Sequence, residues 1–137
     1  MNVALAPMAC ESGEVARNVA AMARSIRASA DRGCDAVVFP EMSDTGYHMP
    51  TIARTASAWD AGPIVELSGF ARENRIAVIV GLSEREGSTI YNSTAAIGPD
   101  GALLARYRKI HLFTGPPVCE DEHLAAGRAL VTFELGG

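Results

Sequence analysis

Two short, unbroken apolar runs constrain this chain most: Ala36-Val37-Val38-Phe39 and Ile76-Ala77-Val78-Ile79-Val80. Runs of this length, rich in β-branched residues and without polar alternation, suit strands buried on both faces, as in a parallel sheet covered by helices. Before the first run, Val15, Val19, Met22, Ile26 and Ala30 recur at helical steps, and Gly33 stands where a helix C′ residue belongs. Before the second, Gly62-Pro63 opens a helical segment carrying Ile64, Leu67, Phe70 and Ala71, with Pro63 suited to the first helical position. An apolar run over residues 3–9 supplies an earlier strand, so the chain opens as strand, helix, strand.

The rhythm then changes. Residues 90–97 and 102–112 read as extended, joined by the hairpin signal Gly98-Pro99-Asp100-Gly101, so the sheet becomes mixed. Residues 41–51 read as a loop rich in turn formers (Ser43, Asp44, Gly46, Pro50), residues 112–127 as irregular, and residues 129–135 as a last strand. An α/β domain covers its sheet with helices or with a second sheet, yet no helical pattern follows Arg75. The chain therefore reads as part of a domain, without internal repeats or linkers.

With 137 residues, 12 Lys and Arg against 16 Asp and Glu, and a net charge of -4, the chain is one core-forming unit without a basic cluster. That argues against nucleic acid or an anionic membrane surface as partner. Its longest apolar stretch falls far short of the ~20 residues of a membrane helix, and its N-terminus lacks a signal peptide's positive region, so a cytoplasmic location is expected. Cys10, Cys34 and Cys119 are odd in number and widely spaced, which suits reduced thiols, and no metal-ligand spacing appears. A small flavodoxin-like nucleotide binder, which the opening βαβ unit would permit, lacks its phosphate-loop glycines.

Glu41 directly follows a buried strand, at the carboxyl end where α/β sheets gather ligands and catalytic groups. Taken alone it fits better as a loop carboxylate that caps a turn or pairs with an arginine. A period of two over residues 106–112 sets Tyr107, Lys109 and His111 on one face and Arg106, Arg108 and Ile110 on the other, turning one cation, Lys109, inward. Alone, Lys109 is explained as edge-strand protection, and Glu120, Asp121 and Glu122 as a solvated acidic run. Those same acids would raise the pKa of Cys119 and deplete its thiolate. His48 and His123 carry no ligand spacing and read as loop residues, and Asn92-Ser93-Thr94 is a chance match to a glycosylation acceptor.

Together these segments resemble the nitrilase superfamily of carbon–nitrogen hydrolases. Asp35-Ala36-Val37-Val38-Phe39-Pro40-Glu41 followed by Thr45-Gly46-Tyr47 is similar to the strand and loop that carry the family's catalytic glutamate. Gly81-Leu82-Ser83-Glu84-Arg85, Tyr91-Asn92-Ser93 and Tyr107-Arg108-Lys109-Ile110-His111-Leu112 resemble the segments that follow, the last carrying the catalytic lysine. Glu120, seven residues before Gly127, matches the second glutamate. The resemblance covers essentially the whole chain and reverses the simpler readings of Glu41 and Lys109.

What the resemblance implies is a nitrilase-like αββα sandwich, of which residues 1–137 form the N-terminal half, a mixed sheet with helices on one face and a domain incomplete at its C-terminus. It implies an amidase-type hydrolase of non-peptide carbon–nitrogen bonds, acting on a small amide, carbamoyl or nitrile substrate, with no metal or organic cofactor and a homo-oligomeric assembly. Glu41 would be the general base, Lys109 the oxyanion partner, and Glu120 the group that holds Lys109 or the attacking water. Tyr47, with His48 beside it, is the candidate substrate-binding residue. The family's nucleophilic cysteine sits shortly beyond the segment matching residues 129–137, so none of the three thiols here occupies it and this chain alone is expected to be inactive. The alternative is a non-catalytic fragment that acts as a binding or self-association module.

Overall fold

The computed structural model describes residues 1–135 and contains five strands and three α-helices among them. Helix α1 (Val15–Asp31) buries Val19, Met22 and Ile26 on one stripe, with Val15 and Ala30 packed partly against the same core. It ends at Gly33, whose φ of 70° only a glycine adopts without strain, and the amides of Gly33 and Cys34 satisfy the carbonyls of Ala30 and Ser29. Helix α3 (Pro63–Asn74) follows α2 (Met49–Thr55), starts at the anticipated proline, and buries Ile64, Leu67 and Ala71.

The sheet runs β1-β2-β3-β4-β5 in chain order. Strands β1 (Val3–Leu5), β2 (Ala36–Val38) and β3 (Ala77–Glu86) are parallel, whereas β4 (Thr89–Ile97) and β5 (Leu103–Arg108) pair antiparallel, so the mixed sheet is as expected. Alternation along β3 sends Val78, Val80 and Leu82 into the core with α1 and α3, together with Val37 and Phe39. Each such buried aliphatic side chain contributes roughly 1.5–3 kcal/mol relative to exposure. Ala77, Ile79, Gly81 and Ser83 therefore face the opposite side, and so does Asn92, which pairs with Ser83.

Several boundaries differ from the sequence reading. Strand β3 continues past Val80 to Glu86, because polar Ser83 and Glu84 find buried partners there, and a two-residue turn at Gly87-Ser88 leads into β4. The loop expected over residues 41–51 ends in α2: Pro50 opens that helix, and Met49 and Ile52 are buried with Met42, Ile90 and Leu124 in a second, smaller cluster. Residues 129–135 do not form the expected last strand. They run without a ladder partner among the described residues, and Leu130 is 89% exposed. Gly136 and Gly137 lie outside the described residues.

Alternation also proves incomplete as a guide to the cations. Arg106 and Arg108 both reach Glu84, whose carboxylate is buried and also accepts a hydrogen bond from Ser93 Oγ. Thus both faces of this part of the sheet, and not the Lys109 face alone, carry a cation on a buried acid.

Candidate active site

The loop after β2 is laid flat on β3. Phe39 N–H donates to Ile79 O at 2.8 Å, Gly81 N–H to Pro40 O at 3.2 Å, and Ser43 N–H to Gly81 O at 2.9 Å. Asp44, a buried residue of the same loop, accepts from Ser83 N–H at 3.0 Å and from Ser83 Oγ at 2.7 Å. Burial raises the Asp44 pKa even against these bonds. The close approach requires Gly81: a Cβ there would lie 2.3 Å from Glu41 Cα. Met42, next to Glu41, takes a left-handed φ of 51°, a strained conformation for a non-glycine residue that these bonds hold in place.

Lys109 follows β5 and has its backbone fixed on both sides, its N–H donating to Asn92 O and its carbonyl accepting from Gly127 N–H, each at 2.8 Å. Glu120 lies in a 3-10 turn (Glu120–Glu122) and is wholly buried. It closes the preceding loop twice, its N–H donating to Phe113 O at 2.7 Å and its Oε2 accepting from Phe113 N–H at 2.8 Å. These elements bring three charged groups together. Lys109 Nζ lies 2.8 Å from Glu120 Oε2 and 3.4 Å from Glu41 Oε2.

Electrostatics follow from that geometry. Burial alone lowers the Lys109 pKa, but the hydrogen bond to Glu120 and the charges of Glu41 and Glu120 outweigh it and hold the ammonium above the usual lysine value. Burial alone raises Glu120, yet Lys109, the Phe113 amide, Asn92 and the Tyr47 hydroxyl beside it bring its pKa below the usual glutamate value. Tyr47 is pushed up, by burial first and then by Glu120 and Glu41, so it remains a neutral phenol. It borders a cleft of about 370 Å³ shared with His48, Met49, Pro117, Val118 and His123.

All four residues singled out from sequence, Glu41, Tyr47, Lys109 and Glu120, thus meet at one place, while Asp121 and Glu122 stay exposed. The thiols do not join them: Cys10 Sγ donates to Ser43 O and Cys119 Sγ to Thr114 O. Burial and the neighbouring acids raise both thiol pKa values, Asp44 acting on Cys10 and Glu122 and Asp121 on Cys119. Sequence reasoning assigned no role to Asn92, whose amide nitrogen donates to Glu41 and to Glu120. The available signal was an asparagine inside an otherwise well-buried strand. Among the described residues no cluster of three His, Cys, Asp or Glu could hold a metal ion, and no helix is long and apolar enough to cross a membrane.

A family model described as carbon-nitrogen hydrolase matches residues 2–136. The chain belongs to the carbon–nitrogen hydrolase family. Within the nitrilase superfamily it is similar to a nitrilase of Pyrococcus abyssi, 33% identical over 101 residues that cover 71% of this chain and 38% of that protein. It is also similar to the human omega-amidase NIT2, 37% identical over 97 residues that cover 70% of this chain and 35% of that one. Among solved structures, an amidase from Nesterenkonia sp. superposes with a TM-score of 0.85 at 25% identity, over 94% of this chain and 49% of that one. The Caenorhabditis elegans NitFhit protein gives 0.81 at 25% identity, over 94% and 34%. The matched part of this family member therefore covers little more than a third of the length of these two curated relatives and about half of the amidase.

Proposed function

We propose that Glu41, Lys109 and Glu120 are the acid–base and electrostatic part of an amidase-type site acting on a small amide, carbamoyl or nitrile substrate, and that its nucleophilic thiol comes from outside the described residues. The observation that carries this reading is one ammonium held between a wholly buried carboxylate and a half-exposed one. Glu120 anchors the cation, and Glu41 stays accessible for proton transfer.

On an amide the steps balance without a further reagent. Glu41 takes the thiol proton as the sulfur–carbon bond forms and the carbonyl π pair moves to oxygen. Lys109 faces that oxyanion with the N–H its two carboxylates leave free, a type of preorganised contact worth about 2.7–4 kcal/mol elsewhere. Collapse of the intermediate breaks the carbon–nitrogen bond, and Glu41 returns its proton to the departing amine. Water then attacks the thioester with Glu41 again as base, which releases the acid and restores the thiol. Tyr47 and the cleft beside it would receive the acyl portion. A structure of the Nesterenkonia amidase that describes acrylamide addition at its active-site cysteine supports a thiol as the nucleophile.

The intact protein should release ammonia or an amine from members of a panel of amides, carbamoyl compounds and nitriles, whereas residues 1–137 alone should not. A panel without a single hydrolysed substrate would overturn the assignment. Reading the coding DNA beyond the Gly137 codon is the companion test: a downstream cysteine supports the mechanism, and an immediate stop codon favours the binding or self-association module. Exposed Leu5, Phe113 and Leu130 favour association of such a fragment, and a homo-oligomer is the expected state of the whole protein.

A further inference from the structure

The side chain of Asn92 sits where the site's charges balance. Its Nδ2 donates to Glu41 Oε2 at 2.8 Å and to Glu120 Oε1 at 2.9 Å, and its backbone carbonyl accepts the Lys109 N–H at 2.8 Å. One residue of β4 therefore touches both carboxylates and holds the backbone of the lysine between them, and it is only 4% exposed. Two carboxylates gathered around one cation repel each other, and without compensation one of them takes up a proton. A primary amide nitrogen offers two N–H groups and no charge, so it stabilises both carboxylates without displacing the lysine. It also selects an oxygen. Asn92 and Lys109 both face Oε2 of Glu41, and among the described residues Oε1 accepts no hydrogen bond from the protein.

We propose that Asn92 is a positioning residue for hydrolysis, holding the Glu41 carboxylate with Oε2 committed to the site and Oε1 turned to the proton of the reacting thiol or water. It acts through Glu41 and Glu120 and does not touch the reacting atoms. This role rests on the hydrolase reading above, so its test has two independent arms.

The first arm compares the intact protein with Asn92→Ala and the near-isosteric Asn92→Asp. Loss of hydrogen bonds to charged groups should lower kcat on the order of 10- to 100-fold while KM changes little. The second arm follows the side-chain carboxyl carbon of Glu120 by NMR titration, with no substrate present; its midpoint should rise in Asn92→Ala, which removes the hydrogen bond from Asn92. An unmoved Glu120 midpoint would overturn the proposal, as would a change confined to KM. Unfolding of both variants would assign Asn92 to architecture alone and overturn it too. If the wild-type protein hydrolyses nothing while the Glu120 midpoint still shifts, the hydrolase reading falls and the hold of Asn92 on the carboxylate pair stands.

Discussion

Gly81→Ala is the most incisive single change, because it adds one methyl group where the loop that bears Glu41 rests on β3. The new Cβ would lie 2.3 Å from Glu41 Cα, 2.6 Å from Pro40 O and 3.0 Å from Glu41 N, against an ordinary contact of 3.4–4 Å. The obstructing atoms are backbone, so rotating a side chain gives no relief, and Glu41 must withdraw by about 1 Å. Two hydrogen bonds run through the same contact, Gly81 N–H to Pro40 O and Ser43 N–H to Gly81 O. Overpacking of this kind costs roughly 1–3 kcal/mol. The Lys109–Glu41 separation is already 3.4 Å, so the withdrawal ends that interaction and moves Glu41 away from Asn92. A displacement of about 1 Å at a reacting group lowers turnover on the order of 100-fold. Urea denaturation should show a lower midpoint at unchanged slope, and ammonia release by the intact protein should fall by that factor. Gly69→Ala is the control: it lies inside α3 with no atom within 4 Å of its added Cβ, and should be neutral or stabilising by about 0.5–1 kcal/mol. If Gly81→Ala matched wild type in both stability and turnover, the inference that this glycine seats the loop bearing Glu41 would be wrong.

Three further outcomes are expected. Lys109→Met strands the wholly buried Glu120 carboxylate, so denaturation at neutral pH should show a loss of about 3–5 kcal/mol, and turnover should fall at least 100-fold, on the order of an oxyanion contact. The pH dependence of that loss has a definite sign. Lys109 is raised in the fold, so its contribution is complete below the ordinary lysine pKa of about 10.4 and fades as pH rises through the higher folded value; Glu120 is lowered, so its contribution is complete above about 4.3 and fades as pH falls through its folded value. The stability difference between wild type and Lys109→Met should accordingly be largest where Lys109 and Glu120 are both charged, shrink on the acid side as the stranded Glu120 of the variant takes up a proton, at higher pH than in wild type because burial is no longer offset by the lysine, and shrink on the alkaline side as Lys109 deprotonates; a difference unchanged from acid to alkaline pH would contradict the pairing. Leu67→Ala empties a fully buried site between α3 and the sheet and should cost about 2–5 kcal/mol by calorimetry or denaturant, without altering the titration of Glu120. Cys119→Ser should leave hydrolysis by the intact protein unchanged, and loss of turnover would show that the nucleophile has been misplaced.

The core was legible because burial in a layered α/β unit imposes a local period. Val19, Met22 and Ile26 on α1, Ile64, Leu67 and Ala71 on α3, and the two apolar runs could be read one segment at a time. Polar burial could not be read that way. Ser83 and Glu84 look like the end of a strand until Asp44, Arg106 and Arg108 arrive from other elements to satisfy them. Residues 129–135 carry strand-forming side chains, but a strand exists only where a neighbour supplies its ladder, and none does among the described residues.

The site divides along the same line. The position of Glu41 at a strand's carboxyl end and the inward turn of Lys109 follow from periods of two and from chain order, and family resemblance supplies their roles. By itself, therefore, the sequence determined the layered class, the apolar faces and the identity of the charged candidates. Only the tertiary structure decided that Glu120 is buried while its neighbours Asp121 and Glu122 are not, and that Asn92 bridges both carboxylates. Hydrophobic patterning is local and repeats every turn or every second residue. A buried charge is stable only when partners converge on it, as Phe113, Lys109 and Asn92 do on Glu120 from 7, 11 and 28 residues away, and that convergence is a property of the packed chain.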